Sequence, residues 1–414
     1  MKRNQIIYFD LTHVEEYGVN YMDQLSYYYD EKTTSKERVE LPVKPKRKFT
    51  SFLDGTMRLY MIGRAAHTGT PLYIAVIASA VLIRGKDRFL RKAPQSRYVY
   101  VLIFPFKTYE DYIHNLVKSG KLKEEFYKDL KEWIRNIKAD LRSYVRRHGA
   151  NLFEETEINP GMMRQVFENN GTWIISDTSF AGIMYTVEAK RKPLITESDL
   201  YNPNRVHEVA RTRARYIMGL LEFYSAFTHL EANPNSYIMI DGLFYPYKRI
   251  GTLFGITREE YEDKIKNVVG FIKHPREIPH SIIQELITLR EGEYFSWIGG
   301  PSPAEEDATL PPMPSDPKSE EKFRFAVLRF RTKPGMFVPF PVGIIKLQTS
   351  QEKDIREAIE AVLYERNPVP TDRRRLYNES YPIEEAERVA KALLPSESKI
   401  RGFALSIIAK QNEI

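Results

Sequence analysis

The chain has 414 residues, with 62 lysines and arginines against 55 aspartates and glutamates, which gives a formal charge of +7. This length suits one large domain or two or three smaller ones, at roughly 100–200 residues per domain. The content of 42% hydrophobic and 28% charged residues excludes a wholly disordered or collagen-like chain. Because there is no cysteine, disulfides, iron–sulfur clusters and thiol nucleophiles are excluded, and any metal must bind oxygen or nitrogen.

The charge and hydropathy patterns predict a soluble protein. The longest apolar run, residues 72–83, is shorter than the roughly 20 residues that a membrane span needs, and no charged-then-apolar leader opens the sequence. We therefore expect a cytoplasmic protein with no membrane partner. The mild positive charge favours a polyanionic partner without identifying one.

The first half of the chain predicts a β-meander followed by helices. Strand-like runs occupy residues 50–53, 59–66, 72–83 and 98–104. The turn formers Asp54-Gly55 and Gly69-Thr70-Pro71 separate the first three runs. From residue 109 to 147 the apolar spacing changes to three and four, which predicts two amphipathic helices hinged near Ser119-Gly120.

The second half mixes helices and strands without strict alternation. Strands are predicted at 173–176, 237–240, 268–273, 325–332, 342–347 and 403–409, and helices at 203–230, 259–266, 279–290, 354–364 and 383–394. Six prolines between Pro301 and Pro317 predict a proline-rich loop over 301–322. We therefore expect one α/β domain over 1–414, with a mixed sheet flanked by helices and a helical insertion at 106–150.

Two predicted strands each end in the same dipeptide. Leu53 is followed by Asp54-Gly55, and Ile240 is followed by Asp241-Gly242. This pattern places a carboxylate at the C-terminal edge of a sheet, where α/β proteins commonly build sites. Asp-Gly is also an ordinary turn signal, so each copy alone is better explained as a turn that has no chemical role.

A third carboxylate, Glu222, lies among apolar residues of the long predicted helix. An isolated buried charge is costly, so this side chain must be paired, hydrogen-bonded or metal-bound. Two interpretations stay open. Either Glu222 pairs with one of the arginines of the same helix (Arg211, Arg213 and Arg215) or lies in a solvated stripe, or it is a metal ligand.

As a set, the three carboxylates of Asp54, Glu222 and Asp241 suit a hard cation such as Mg²⁺ or Mn²⁺. Two such ions held roughly 3.5–4 Å apart activate a water and stabilise the leaving oxygen in phosphodiester hydrolysis. The residues alone therefore predict metal-dependent phosphoryl transfer. A flexible cation that ends a strand, such as Lys273, either contacts a phosphate or simply reaches water.

The order of these motifs resembles that of the NurA family of nucleases. The residues that carry the resemblance are Asp54-Gly55-Thr56, Glu222, Asp241-Gly242-Leu243, Val268-Val269-Gly270-Phe271-Ile272-Lys273, and Tyr381-Pro382 followed by Ala386. They occur in the family's order between about residue 50 and residue 394. Each motif is weak by itself, whereas the ordered set is more specific.

The resemblance implies an RNase H-like core that binds Mn²⁺ or Mg²⁺ through Asp54, Glu222 and Asp241. It implies a DNA nuclease, either a single-strand endonuclease or a 5′–3′ exonuclease. Such enzymes form homodimers and work with a HerA-type hexameric translocase in resecting DNA ends during repair. The catalytic set would also include Lys273 and Tyr381, the latter positioning a water or stacking on a base, although most tyrosines are core or surface residues.

One position departs from the family pattern. The residue after Ala386 is Glu387, where the family has histidine. Glu387 either ligates a hard cation, or faces solvent, or marks altered or lost activity. The second hypothesis is therefore a non-catalytic subunit that binds DNA or the translocase ring. The basic run Arg373-Arg374-Arg375 fits either a nucleic-acid contact or an exposed loop.

Overall fold

A large mixed β-sheet forms the centre of the computed structural model. The structure describes residues 12–13, 26–28, 35–65, 67–159, 161–180, 193–275, 277–299, 322–332, 342–371 and 377–412. Residues 301–321 of the predicted proline-rich loop and the run Arg373-Arg374-Arg375 lie outside these ranges. No helix in the described ranges combines the length and the apolar content that crossing a bilayer requires.

The strands vary from two to 14 residues in length. In chain order they are β1 (Thr12–His13), β2 (Ser26–Tyr28), β3 (Glu37–Arg38), β4 (Ser51–Arg64), β5 (Pro71–Arg84), β6 (Leu90–Lys92), β7 (Arg97–Phe104), β8 (Leu152–Glu154), β9 (Thr172–Asp177), β10 (Ile238–Asp241), β11 (Val268–Ile272), β12 (Glu277–Pro279), β13 (Glu293–Gly299), β14 (Phe323–Arg329) and β15 (Ile344–Ser350).

Thirteen of these strands form one sheet, in the order β3-β13-β14-β15-β11-β10-β4-β5-β7-β9-β8, with β1 on β4 and β6 on β5. The central strands β4, β5 and β7 are antiparallel neighbours. The pairs β4–β10 and β10–β11 are parallel, as are β7–β9 and β8–β9. The remaining strands, β2 and β12, pair separately. The prediction of a mixed sheet flanked by helices is confirmed.

The described residues contain ten helices, and six of them match helices predicted from the sequence. They are α1 (Phe106–Lys118), α2 (Glu124–Arg147), α3 (Met163–Glu168), α4 (Pro203–Ala232), α5 (Tyr247–Phe254), α6 (Arg258–Ile265), α7 (Ile283–Leu286), α8 (Ile355–Tyr364), α9 (Tyr381–Leu393) and α10 (Glu397–Asn412). The break between α1 and α2 falls at the predicted hinge, where Gly120 has a φ of 70° that favours glycine.

Two hydrophobic clusters cover the two faces of the sheet. Leu53 belongs to the cluster that contains Ile217 of α4, whereas Phe52 belongs to the one that contains Ile383 of α9. Successive side chains of a strand point to opposite faces. The strand β4 therefore lies between α4 and α9, and consecutive residues of β4 face one helix or the other.

Three element predictions were wrong. Residues 403–409 belong to the helix α10, in which Phe403 packs on Trp173 with ring centroids 4.2 Å apart. The helix predicted over 279–290 is reduced to a 3₁₀ turn, His280–Ile282, and the short α7. Short apolar runs do not distinguish helix from strand by their periodicity. The third error, at Asp54-Gly55, concerns the candidate site.

Candidate functional site

Asp54 lies inside a strand and not at its end. The strand β4 continues through Asp54 and Gly55, which are opposite Ala80 and Ser79 of β5 in an unbroken antiparallel ladder. The prediction of a turn here was therefore wrong. By alternation from Phe52, the Asp54 side chain faces α9. The residue is only 4% exposed, so its carboxylate is placed in a buried layer.

Gly55 leaves room for a side chain from the opposite layer. A Cβ atom added at Gly55 would lie 2.1 Å from Oε1 of Glu222, closer than non-bonded atoms approach, so the Glu222 side chain would have to move. The backbone N–H of Gly55 donates a hydrogen bond to the Glu222 carboxylate. The glycine thus allows α4 to bring Glu222 against the backbone of β4, on the opposite face of the sheet from the Asp54 side chain.

Replacing Gly55 with alanine is expected to destabilise the fold by about 1–3 kcal/mol, because the new methyl group overlaps the Glu222 side chain packed against β4. Urea denaturation measures the change. Gly402→Ala on α10, where nothing lies within 4 Å of the added atom, is the control and is expected to cause no loss and a gain of up to about 1 kcal/mol, because alanine is the better helix former. Combining Gly55→Ala with Glu222→Ala is expected to recover much of the loss. Equal losses in both backgrounds would contradict the contact.

Asp241 ends β10 beside the Asp54 position. The parallel register pairs Met239 with Phe52 and Ile240 with Leu53, so the next step along both strands brings Asp241 level with Asp54. Gly242 follows with a φ of 90°, which a glycine adopts without strain. Here the predicted strand end is confirmed. The Asp241 side chain is 23% exposed, so solvent reaches it.

Lys273, which directly follows β11, joins two carboxylates. Its Nζ lies 3.0 Å from Oδ2 of Asp241 and 2.5 Å from Oε1 of Glu379. The Glu379 side chain is fully buried, and Asn378 holds this segment by donating from Nδ2 to the carbonyl of Lys273 at 2.8 Å. Glu379 was not predicted from the sequence, where its only signal is an acidic residue just before Tyr381-Pro382.

The charges of this group act on one another. Burial and the negative charge of Asp241 raise the pKa of Asp54 well above its usual range, although Lys273 opposes them. Burial and the charge of Asp241 also raise the pKa of Glu222 to about 8. Burial disfavours the charge on Lys273, yet the surrounding carboxylates outweigh it and raise its pKa. Asp241 is therefore the electrostatic link between the two buried acids.

A cavity of about 30 Å³ opens beside Glu222 and Asp241. Its other lining residues are mostly apolar, including Phe223, Phe227 and Ile240. A space of this size accommodates one or two water molecules. The apolar lining accounts for the large contribution of burial to the raised pKa of Glu222.

Glu387 and Tyr381 lie on α9 and differ in their surroundings. The charge of Glu387 is close enough to contribute to the raised pKa of Asp54, and its Oε1 lies 2.7 Å from Nζ of Lys391. Tyr381 is the first residue of α9. The structure therefore brings the charge of Glu387 to the acidic group.

Arg213 does not pair with Glu222. Its guanidinium is completely buried, bonds to Glu155 and Ser176 through Nη1, and donates from Nη2 to the carbonyl of Phe180 at 2.6 Å. Arg213 therefore forms a buried structural ion pair with Glu155 and is not available to nucleic acid. The interpretation of Glu222 as its partner is therefore wrong.

The fit of this group to a divalent cation is partial. All its donors are oxygens, which hard cations prefer, and Oδ2 of Asp54 is buried without a hydrogen-bond partner among the described residues. The partly exposed Asp241 side chain is where a cation would reach the group from solvent. However, the described residues contain no ready-made group of three or more acidic or histidine side chains that could hold a metal ion.

Comparison with known proteins adds no assignment. No protein-family model matches the chain, and no curated protein matches it either.

Proposed function

We propose that the protein is a divalent-metal-dependent nuclease that cleaves DNA. The observation that carries this proposal is the buried, unpartnered Oδ2 of Asp54 beside the strand end that bears Asp241. A buried carboxylate oxygen without a partner is costly, and the cost is understandable if a cation completes its coordination. Glu222, held by the Gly55 N–H, is the third carboxylate at this point.

The roles of the chain's own residues follow from their positions. Asp54 and Asp241 would hold the ion, and Glu222, which approaches β4 from the α4 side, would be the third ligand. The bound ion would supply Lewis-acid activation of a phosphodiester and of a water. Lys273, fixed by Glu379 at 2.5 Å, keeps an ammonium group near the position of a phosphate oxygen. Mn²⁺ or Mg²⁺ suits these oxygen ligands.

We further propose an RNase H-like core for the central strands. The argument rests on the order β7-β5-β4-β10-β11, in which three antiparallel strands are followed by two that run parallel to β4. The carboxylates lie on and beside the middle strand β4, as this core requires. A homodimer and a HerA-type translocase partner follow only from the resemblance to NurA nucleases and belong to the same proposal.

The decisive assay uses the purified full chain with end-labelled single-stranded and blunt duplex DNA. Cleavage is expected with Mn²⁺ or Mg²⁺ and is expected to stop on addition of EDTA. Ca²⁺ serves as the comparison ion, because it takes oxygen ligands with a looser geometry. Cleavage that persists in EDTA, or none with either metal in the presence and absence of a HerA-type partner, would refute the nuclease proposal.

A second function, DNA or translocase binding without cleavage, is favoured by two observations. The ammonium of Lys273 already neutralises Asp241, and Glu387, at the family's histidine position, pairs with Lys391. A protein that binds DNA with strong salt dependence but cleaves none under the assay above would have this function.

A further inference from the structure

The turn between β5 and β6 presents an exposed aromatic ring at the tip of a basic hairpin. Ile83 pairs with Arg91 and Arg84 with Leu90, and the Gly85 N–H donates to the carbonyl of Phe89 at 2.9 Å. Phe89 is 69% exposed, the highest value for a large hydrophobic residue in the described part of the chain. The ring of Phe89 therefore contributes little to the hydrophobic core of the protein.

The hairpin is held rigidly despite its exposure. At its base, Arg84 donates to both carboxylate oxygens of Glu365, at 2.7 and 2.6 Å. At its tip, Asp87 accepts from the Phe89 N–H at 3.2 Å and from Arg91 at 2.9 Å. Arg88 has a φ of 69°, a conformation that costs free energy for a residue with a side chain. The backbone of Phe89 is therefore constrained before binding, which reduces the entropy lost on binding.

The charge around the ring is almost entirely positive. Residues 84–97 contain six basic residues and one acidic residue, Asp87, and this acid is engaged by Arg91. The side chains of Lys86, Arg88 and Lys92 are exposed. None of the ion pairs between described residues involves these three side chains, so no neighbouring carboxylate neutralises their charges.

We propose that this hairpin binds single-stranded nucleic acid, with Phe89 stacked on a base and Lys86, Arg88 and Lys92 at backbone phosphates. An aromatic ring set among cations is the usual platform for single strands, because every base has a face that stacks and every nucleotide carries a negative charge. The choice of nucleic acid over another polyanion rests on the proposed nuclease function.

The position of the hairpin connects it to the acidic group. The strand β5 carries Ala80, which is opposite Asp54, and reaches its last residue, Arg84, four residues later. At 3.2–3.4 Å per residue this is roughly 13 Å. A few nucleotides of a single strand bridge that distance, so the hairpin would hold the substrate beyond the cleavage point.

The first test measures binding of a fluorescein-labelled dT 20-mer by anisotropy, in EDTA so that no cleavage occurs. Phe89→Ala is expected to weaken binding about 10-fold, within the range measured for loss of one base–aromatic stack. The control is Leu405→Ala, at a residue of α10 that is 45% exposed and is expected to bind as the unaltered protein does. Equal affinities for Phe89→Ala and the control would overturn the proposal.

The second test measures the salt dependence of the same binding. Lys86→Gln combined with Lys92→Gln is expected to reduce the slope of log K against log salt by about 1.4, since each phosphate contact on a single strand contributes about 0.7. The matched control combines Lys118→Gln and Lys399→Gln, both at exposed helical positions. An unchanged slope would contradict the proposal, as would polyglutamate that competes as well as unlabelled dT 20-mer.

The two proposals can fail separately. Binding in EDTA that depends on Phe89, together with a lack of cleavage in Mn²⁺, would refute the nuclease and leave the hairpin assignment standing. Metal-dependent cleavage together with unchanged binding by Phe89→Ala would refute the hairpin assignment and leave the nuclease proposal standing.

Discussion

Asp54→Asn is expected to lower the rate of Mn²⁺-dependent DNA cleavage by about 10³-fold or more. A bound metal ion contributes several kcal/mol of transition-state stabilisation, and each 1.36 kcal/mol corresponds to a factor of ten in rate. The amide keeps the shape of the carboxylate and removes its charge. Cleavage of labelled single-stranded DNA at saturating Mn²⁺ measures the loss. Asp111→Asn, at an exposed ion pair on α1, is the control and should cleave normally.

The same substitution should leave the fold intact. Burial and the charge of Asp241 raise the pKa of Asp54, which means that the native site disfavours the ionised form, and a neutral amide removes this cost. Thermal unfolding should therefore occur at the same temperature or higher. If Asp54→Asn unfolds, Asp241→Asn, at a partly exposed position, makes the same test. Full cleavage in a folded form of either variant would refute the assignment.

Lys273→Met is expected to destabilise the protein by about 3–5 kcal/mol, the usual cost of leaving a buried charge without its partner. The charge left without a partner would be that of Glu379, whose side chain is completely buried and whose Oε1 lies 2.5 Å from Nζ of Lys273. The midpoint of urea denaturation gives the change in the free energy of unfolding. Adding Glu379→Gln to Lys273→Met should restore part of the stability, because the buried group is then neutral.

An exposed ion pair provides the matched control. Nζ of Lys107 lies 2.8 Å from Oδ1 of Asp111, and both side chains are about half exposed. Lys107→Met is expected to lower the free energy of unfolding by no more than about 1 kcal/mol, because exposed ion pairs contribute little to stability. If Lys273→Met lowers the free energy of unfolding as little as Lys107→Met does, the buried ion pair between Lys273 and Glu379 does not stabilise the fold as expected.

The sequence was informative where periodicity and turn chemistry act locally. The long helix α4 was predicted within two residues of its C-terminal bound, because its apolar spacing is regular and Asn202 caps its start by accepting from the Arg205 N–H. The end of β10 at Asp241 was predicted for a similar reason, since Gly242 has the positive φ that the turn needs. In both cases the controlling interactions lie within a few residues.

The sequence misled where a distant contact decides the structure. Asp54-Gly55 has the composition of a turn. The reason for the glycine is instead the carboxylate of Glu222, 167 positions away in the sequence, which occupies the space that a side chain at position 55 would fill. Glu379 could not be recognised because its role depends on Lys273, which β11 brings from 106 positions away. Such pairings follow from the order of strands in the sheet, which local pattern does not determine.

The hydrogen bond from the Gly55 N–H to Glu222 makes one amide a reporter of the whole site. A carboxylate from α4 contributes to the environment of this amide and so to its protection from hydrogen–deuterium exchange. Cation binding that draws Glu222 toward Asp54 would release this amide, and its exchange would accelerate while its neighbours in the ladder with β5 stayed protected. Exchange at a single backbone position would thus detect occupation of the site without any substrate.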